Sequence, residues 1–213
     1  KMEKIKLDEV KPSSRITPYL GFTQEKKLHR QALVLEKLGH GFDGEMLFSD
    51  GDLILEAGSR LAVTGENGSG KTTFLRCLLR QIEAKQGNIK WSENANIAYC
   101  PQDSSADFDN DLNLFDWMSQ WRTVKHDDLM LRSVLGRLLF SADDSKKKAK
   151  VCSGGEKNRL LFGKLMLSEA NVLILDEPTN HLDMESIEAL NQALAKFAGT
   201  VIFVSHDRQF VST

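Results

Sequence analysis

Cysteine is scarce in this chain. The three present, Cys77, Cys100 and Cys152, stand far apart and show no paired metal-ligand spacing. An odd number so placed argues against a disulfide framework and fits a reducing compartment. Long apolar runs are missing too: none approaches the roughly 20 residues that a membrane span needs, and the first residues do not form a signal peptide. Neither sign of charge dominates. The formal net charge of −2 gives no reason to expect wholesale wrapping of a polyanion, while leaving room for a local patch. No internal repeat is visible. What remains is the composition of a soluble, cytoplasmic globular protein, 213 residues long with 41% hydrophobic and 27% charged residues. It can bury a core as one large or two small domains.

The first 30 residues stand apart from the rest. They hold eight Lys/Arg against four Asp/Glu, a net of +4 that leaves −6 for residues 31–213. Pro12 and Pro18 break any long helix there, and Lys11-Pro-Ser-Ser-Arg15 has the composition of a connector. This lead reads as a solvated linker or as an arm placed near phosphate-rich surface. Lys1 standing before Met2 suggests part of a longer chain. Strands are predicted at Ala32–Leu38, Leu53–Leu55, Arg60–Thr64, Ile89–Trp91 and Ile97–Tyr99, with a glycine-rich turn over Gly39–Gly44. Thr72–Gln81 carries Phe74, Leu75, Leu78 and Leu79 at helical spacing. From Asp103 to about residue 168 helical patterns dominate, at Leu112–Trp121, Leu129–Phe140 and from about Gly154 to Ser168. The lysine-rich run Asp143–Lys150 between them reads as an exposed helix approach. A strand at Val172–Asp176, a helix at Met184–Lys196 and a strand at Thr200–Val204 follow. Strands and helices alternating at these lengths indicate an α/β fold, a mostly parallel sheet covered by helices.

Two segments carry chemistry. Leu173–Asp183 reads LILDEPTNHLD, an apolar run ending in two adjacent carboxylates, Asp176 and Glu177. Paired acids are costly unless a cation or a proton-transfer role justifies them. The other is Gly65-Glu66-Asn67-Gly68-Ser69-Gly70-Lys71-Thr72, which satisfies G-x-x-x-x-G-K-[ST] between a predicted strand and an amphipathic helix. Its glycines let successive N–H groups point at phosphate oxygens, and the helix N-terminus adds its positive end. Lys71 can reach the β- and γ-phosphates, and the Thr72 hydroxyl can ligate Mg²⁺. Asp176 lies 105 residues after Lys71, and in a parallel sheet both strand ends can share the carboxyl-terminal edge where ligands bind. Asp176 is then the expected Mg²⁺ partner. Glu177 is the candidate general base, or else a second metal-side carboxylate. Gln102, after the Ile97–Tyr99 strand, can touch metal or water.

Three further positions admit two readings each. Ser153, before Gly154, Gly155 and Glu156, is either a plain helix N-cap or part of a second anion-binding surface. His206 is a structural turn residue, or it donates to a γ-phosphate. Phe42 packs in the core, or it stacks on a flat base.

Taken in order, Phe42, Gly65–Thr73, Gln102, Ser153–Glu156, Leu173–Pro178, Asp183 and His206 resemble the motifs of an ATP-binding-cassette ATPase domain over residues of about 32 to 211. The resemblance implies a P-loop fold with a mostly parallel core sheet, an antiparallel β subdomain and a helical subdomain. It implies ATP and Mg²⁺ as cofactors. It assigns Phe42, Gly65 to Thr73, Ser153, Gly154, Gly155 and Asp183 to nucleotide, and Thr72, Gln102 and Asp176 to metal. Glu177, His206, Lys71 and Gln102 fall to catalysis. In this family two cassettes pair head to tail, so the signature Ser153-Gly154-Gly155 serves the nucleotide held by the partner. Cys152 departs from the family's usual leucine.

Within the family, Pro178-Thr-Asn-His-Leu-Asp183 resembles the ABC-F class. Trp117–Trp121, Leu135–Phe140 and Asp183–Ser186 are most similar to its YbiT-type subgroup. The class implies a soluble protein of two cassettes joined by a charged linker that reaches into the ribosome, touching rRNA and tRNA, with no membrane. Residues 1–30 then resemble the linker's tail and residues 31–213 the second cassette, with a helical insertion over about 103–168 and a truncated C-terminus. A transporter nucleotide-binding subunit, a non-catalytic regulatory cassette and a DNA-maintenance cassette are the rival readings.

Overall fold

The computed structural model describes residues 17–205. Fully apolar runs set the centre of the fold. Val172–Asp176 (β6) and Thr200–Val204 (β7) are buried along their whole lengths, as strands covered on both faces must be. They form the middle of an all-parallel sheet ordered β3-β7-β6-β5, with Arg60–Val63 (β3) and Ile97–Cys100 (β5) at its edges. Side chains alternate between two cores. Leu173, Leu175, Val201 and Phe203 face a cluster shared with the helical part, whereas Val172, Ile174, Ile202 and Val204 face a second cluster.

That second cluster lies against an antiparallel sheet ordered β2-β1-β4 and the helix Lys71–Leu78 (α1). Its strands are Gln31–Phe42 (β1), Glu45–Glu56 (β2) and Gln86–Trp91 (β4). The first two are longer than the apolar runs predicted, because twelve-residue strands with bulges tolerate polar residues on the exposed face. Gly39 and Gly41 consequently lie within β1 rather than in a turn. A Cβ on Gly41 would stand 1.9 Å from the Glu45 carbonyl, so only glycine permits the hairpin to close this tightly.

The helical part comprises Leu114–Ser119 (α2), Asp128–Arg137 (α3) and Gly154–Leu167 (α4), and Met184–Lys196 (α5) follows β6. Trp117 centres it, stacked on Phe108 at 4.7 Å and donating to the Asp107 carbonyl at 2.8 Å. The lysine run folds into two single 3₁₀ turns whose Lys146, Lys148 and Lys150 are exposed as expected, while Ser145 and Ala149 between them are buried. Lys147 pairs with Glu156, while Lys148 and Lys150 both reach Asp111.

Residues 17–30, grouped by charge with the basic lead, pack on the domain. Leu20 and Phe22 are 6% and 8% exposed and belong to the first core, with the Phe22 ring edge-on to Phe197 at 6.2 Å. The Tyr19 amide donates to the Arg137 carbonyl, the Glu25 amide to the Glu169 carbonyl, and Asn171 to the Lys26 carbonyl. This strap therefore touches both α3 and the end of the parallel sheet. The remainder of the lead, residues 1–16, lies outside the described residues. Phe22→Ala is expected to destabilise the chain by about 3 kcal/mol in chemical denaturation, as for other buried phenylalanines. Tyr19→Ala, at an exposed ring, should cost about 1 kcal/mol or less.

Candidate functional site

The phosphate-binding pattern folds as a loop from Thr64 to Gly70 that delivers the chain into α1. Gly68 and Gly70 take left-handed φ of 81° and 93°, a region closed to most side chains, and Gly70 is the N-cap of α1. A Cβ on Gly70 would also approach Leu47 to 3.1 Å. Lys71 folds its ammonium back over the loop, donating to the carbonyls of Gly65 at 2.9 Å and Glu66 at 2.8 Å. The ammonium thus closes over the loop's own carbonyls.

Asp176 and Glu177 occupy the end of β6, but they are not equivalent. Asp176 is 1% exposed, and among the described residues neither of its carboxylate oxygens has a hydrogen-bond partner. Burial raises its pKa above the usual carboxylate range, and the neighbouring Glu177 charge adds to this. The Thr72 side chain, close by without a bond of full geometry, and the cations Arg76 and Lys71 only partly offset it. The Tyr99 phenol beside it is also raised, first by burial and then by the Asp176 charge. Glu177 continues the ladder for one residue, its amide donating to the Val204 carbonyl at 3.0 Å, and then turns at φ 50°. A left-handed non-glycine residue costs about 1–2 kcal/mol. Here the turn ends the strand and sends Pro178 off the sheet, while both acids line the same cavity.

These elements share one cavity of about 510 Å³, lined by Leu47, Asn67, Gly68, Gly70, Lys71, Thr72, Thr73, Gln102, Asp176, Glu177, Asn180 and Val204. The structure thus brings together the loop, Gln102 and both carboxylates from three separated parts of the chain. Leu47 and Asn180 join them unanticipated by the motifs. In the sequence Asn180 marks the class, and its place three residues beyond Glu177 in a tight turn is the signal that points to the cavity. An unpartnered buried carboxylate beside a threonine hydroxyl suits a hard cation with oxygen ligands, so the residues fit Mg²⁺.

Other predicted residues stand elsewhere. Phe42 ends β1 at 54% exposure, edge-on to His40 at 4.9 Å, and does not line the cavity. Asp183 caps α5, accepting from the Ser186 amide at 2.8 Å. Ser153 caps α4 in a reciprocal box: its Oγ accepts from the Glu156 amide at 3.3 Å, and the Glu156 carboxylate accepts from the Ser153 amide at 2.7 Å. Burial pushes the Glu156 carboxyl up, but the Ser153 amide and the Lys147 ammonium outweigh it and hold the group below its usual range. Ser153, Gly154 and Gly155 lie outside the cavity that holds Lys71. His206 lies outside the described residues.

A glycine loop feeding a helix, with a buried carboxylate at the end of a parallel strand two places from the loop's own strand, defines a P-loop nucleoside-triphosphate-binding domain. The flanking antiparallel sheet and helical subdomain narrow the class to an ATP-binding cassette. Comparison with known proteins agrees. The family model described as "ABC transporter" matches residues 48–180, and the chain belongs to this family as an ATP-binding and ATP-hydrolysing cassette domain. A protein named Probable ATP-binding protein YbiT from Escherichia coli O157:H7 is 58% identical over 212 residues, spanning all of this chain and 40% of that protein. The Uncharacterized ABC transporter ATP-binding protein YkpA of Bacillus subtilis (strain 168) is 46% identical over 213 residues, again all of this chain and 39% of the relative. The chain is closely related to YbiT-type ABC-F proteins and spans about two fifths of the length of the relatives it matches. A bacterial Atm1-family ABC exporter solved with ATP bound shares the fold, with a TM-score of 0.75 and 18% identity over 92% of this chain and 37% of that one. Among the described residues no helix is long and apolar enough to cross a membrane.

The state of Asp176 can be tested in the nucleotide-free chain. Its folded pKa is raised, so ionisation at neutral pH destabilises the fold, and this penalty disappears as pH falls towards the unfolded value. Asp176→Asn should therefore raise the thermal midpoint at pH 7, with a gain that shrinks by pH 4. An unchanged or lowered midpoint at pH 7 contradicts this account.

Proposed function

We propose that this chain is the ATP-hydrolysing second cassette of a soluble, cytoplasmic ABC-F protein that acts on the ribosome in translation regulation. The observation that carries the hydrolytic part is the convergence of Lys71, Thr72, Gln102, Asp176 and Glu177 on one cavity. In this reading the loop from Gly65 to Thr73 cradles the phosphates and Lys71 neutralises the β- and γ-oxygens. Thr72, Asp176 and Gln102 hold Mg²⁺, which supplies charge neutralisation when bound. Glu177 orients and polarises the attacking water, His206 donates to the γ-phosphate, and Phe42 stacks on the base. Chemistry of this kind is positioning and charge stabilisation, with no covalent intermediate on the protein.

The placement of Ser153, Gly154 and Gly155 away from Lys71 supports a paired site. They then contact nucleotide held by a second cassette, as Asp183 does across the same interface, and that partner resides in the same full-length chain. Residues 1–30 are its linker tail, of which residues 17–30 pack on the domain as the strap, residues 31–213 are the cassette, and about 103–168 its helical insertion. Contact with rRNA and tRNA rests on the resemblance of Pro178-Thr-Asn-His-Leu-Asp183 to the ABC-F class and on the identity to YbiT-type relatives.

In the full-length protein Glu177→Gln should keep ATP binding and lower turnover about a hundredfold or more, the range of a lost general base. Turnover equal to the parent would remove Glu177 from that role. The same variant should cosediment with ribosomes when ATP is present, and less so as salt rises, because phosphate contacts release counterions. Identical sedimentation with and without ATP would count against the ribosome.

A further inference from the structure

The turn that leaves Glu177 is bound to the helix that begins with Ser153. The Asn158 side-chain amide, on the second turn of α4, donates to the Asn180 carbonyl at 2.6 Å. The Asn180 amide in turn donates to the Glu177 carbonyl at 3.2 Å, and the next closure runs from the Leu182 amide to the Thr179 carbonyl. One residue on, His181 sits at φ 62° with its backbone and side chain against the start of α4. A Cβ added to Gly155 would lie 3.3 Å from the His181 carbonyl, and one on Gly154 would lie 3.6 Å from the His181 Cβ. Glu177 and His181 thus bracket a short turn whose two left-handed residues leave it little freedom to relax. The turn is in contact with the glycines of α4 and tied to its Asn158.

We infer that Asn158 is a positioning residue that couples the two ends of this cassette: the cavity holding Lys71, and the Ser153-Gly154-Gly155 turn that faces a partner. Asn180 lines that cavity, and its backbone carries hydrogen bonds to Glu177 on one side and Asn158 on the other. A shift of the Glu177 backbone is therefore passed to α4 over two hydrogen bonds, and a shift of α4 is passed back. The inference rests on the paired-cassette reading above. It adds that a residue touching neither nucleotide sets how each site senses the other.

The test uses the full-length two-cassette protein. Asn158→Asp retains size but presents no donor to the carbonyl, and Asn158→Ala removes the group. Turnover at this cassette's own site is read after the counterpart of Glu177 in the partner cassette is changed to glutamine. Turnover at the opposing site is read in a Glu177→Gln background. Both Asn158 variants are expected to lower kcat at both sites about tenfold, the value of one lost hydrogen bond to a pre-organised group, with KM for ATP unchanged and the thermal midpoint lowered by no more than about 4 °C. Loss confined to the opposing site would overturn the inference, because it would mean that Asn158 only supports the Ser153 turn. Unchanged kcat at both sites would overturn it as well. A Glu177→Gln protein that hydrolyses ATP as fast as the parent at this cassette's own site would instead remove the catalytic reading on which the inference stands.

Discussion

A carboxylate sealed beneath the end of a parallel strand, 1% exposed and without a hydrogen-bond partner among the described residues, is the constraint around which this domain is organised. A buried unpaired acid is expensive, and a fold selected for stability alone would replace it. Every nearby element answers to it. Thr72 and the cations Lys71 and Arg76 partly favour its ionised form, while Glu177, which lines the same cavity, opposes it. The sheet itself must stay apolar on both faces to hold the acid in place. Two cores, one under the helical part and one under the antiparallel sheet, supply those faces.

The sequence was most legible where burial is complete. β6, α5 and β7 fall on their predicted bounds, because a strand with no exposed face reads as an unbroken apolar run and α5 begins at an evident cap, Asp183. Legibility failed where side chains serve one exposed face. β1 and β2 extend well beyond their apolar centres, so Phe42 ends a strand instead of riding a loop. It failed also where few residues do much: Leu20 and Phe22 anchor the strap between Pro18, Gly21 and a string of charges, with no periodicity to reveal them. Among the residues that the motifs single out, Lys71, Thr72, Gln102, Asp176 and Glu177 all line one cavity. No motif points to Leu47 or Asn158, since their places come from cross-strand and interhelical proximity that no local spacing encodes.

Charge reads differently in three dimensions. The run of lysines before Ser153 suggests a solvated face, yet Lys147 holds Glu156, and Lys148 and Lys150 converge on Asp111. Exposed pairs of this sort are each worth about 1 kcal/mol or less. Their importance is geometric. The Asn113–Lys148 bridge and the bond from the Leu114 amide to the Lys147 carbonyl stitch this run to the start of α2, so the approach to α4 is fixed on both sides.

The two readings of Ser153 turn out not to compete. Capping consumes one acceptor lone pair on Oγ, which takes the Glu156 amide, and the reciprocal bond uses the Ser153 backbone amide. A serine hydroxyl has a proton to donate besides, and the cap does not use it. The box fixes the position of Oγ without engaging that proton, and Ser153 and Gly154 are both exposed. Pre-organisation of this kind suits a surface that meets phosphate only when a partner arrives, because no rearrangement of the helix start is then needed at the moment of contact. It also explains why the proximity of His181 matters. The turn after Glu177 packs against Gly154 and Gly155, the two residues that follow this cap, which is the contact through which the inferred coupling would reach the Ser153 hydroxyl.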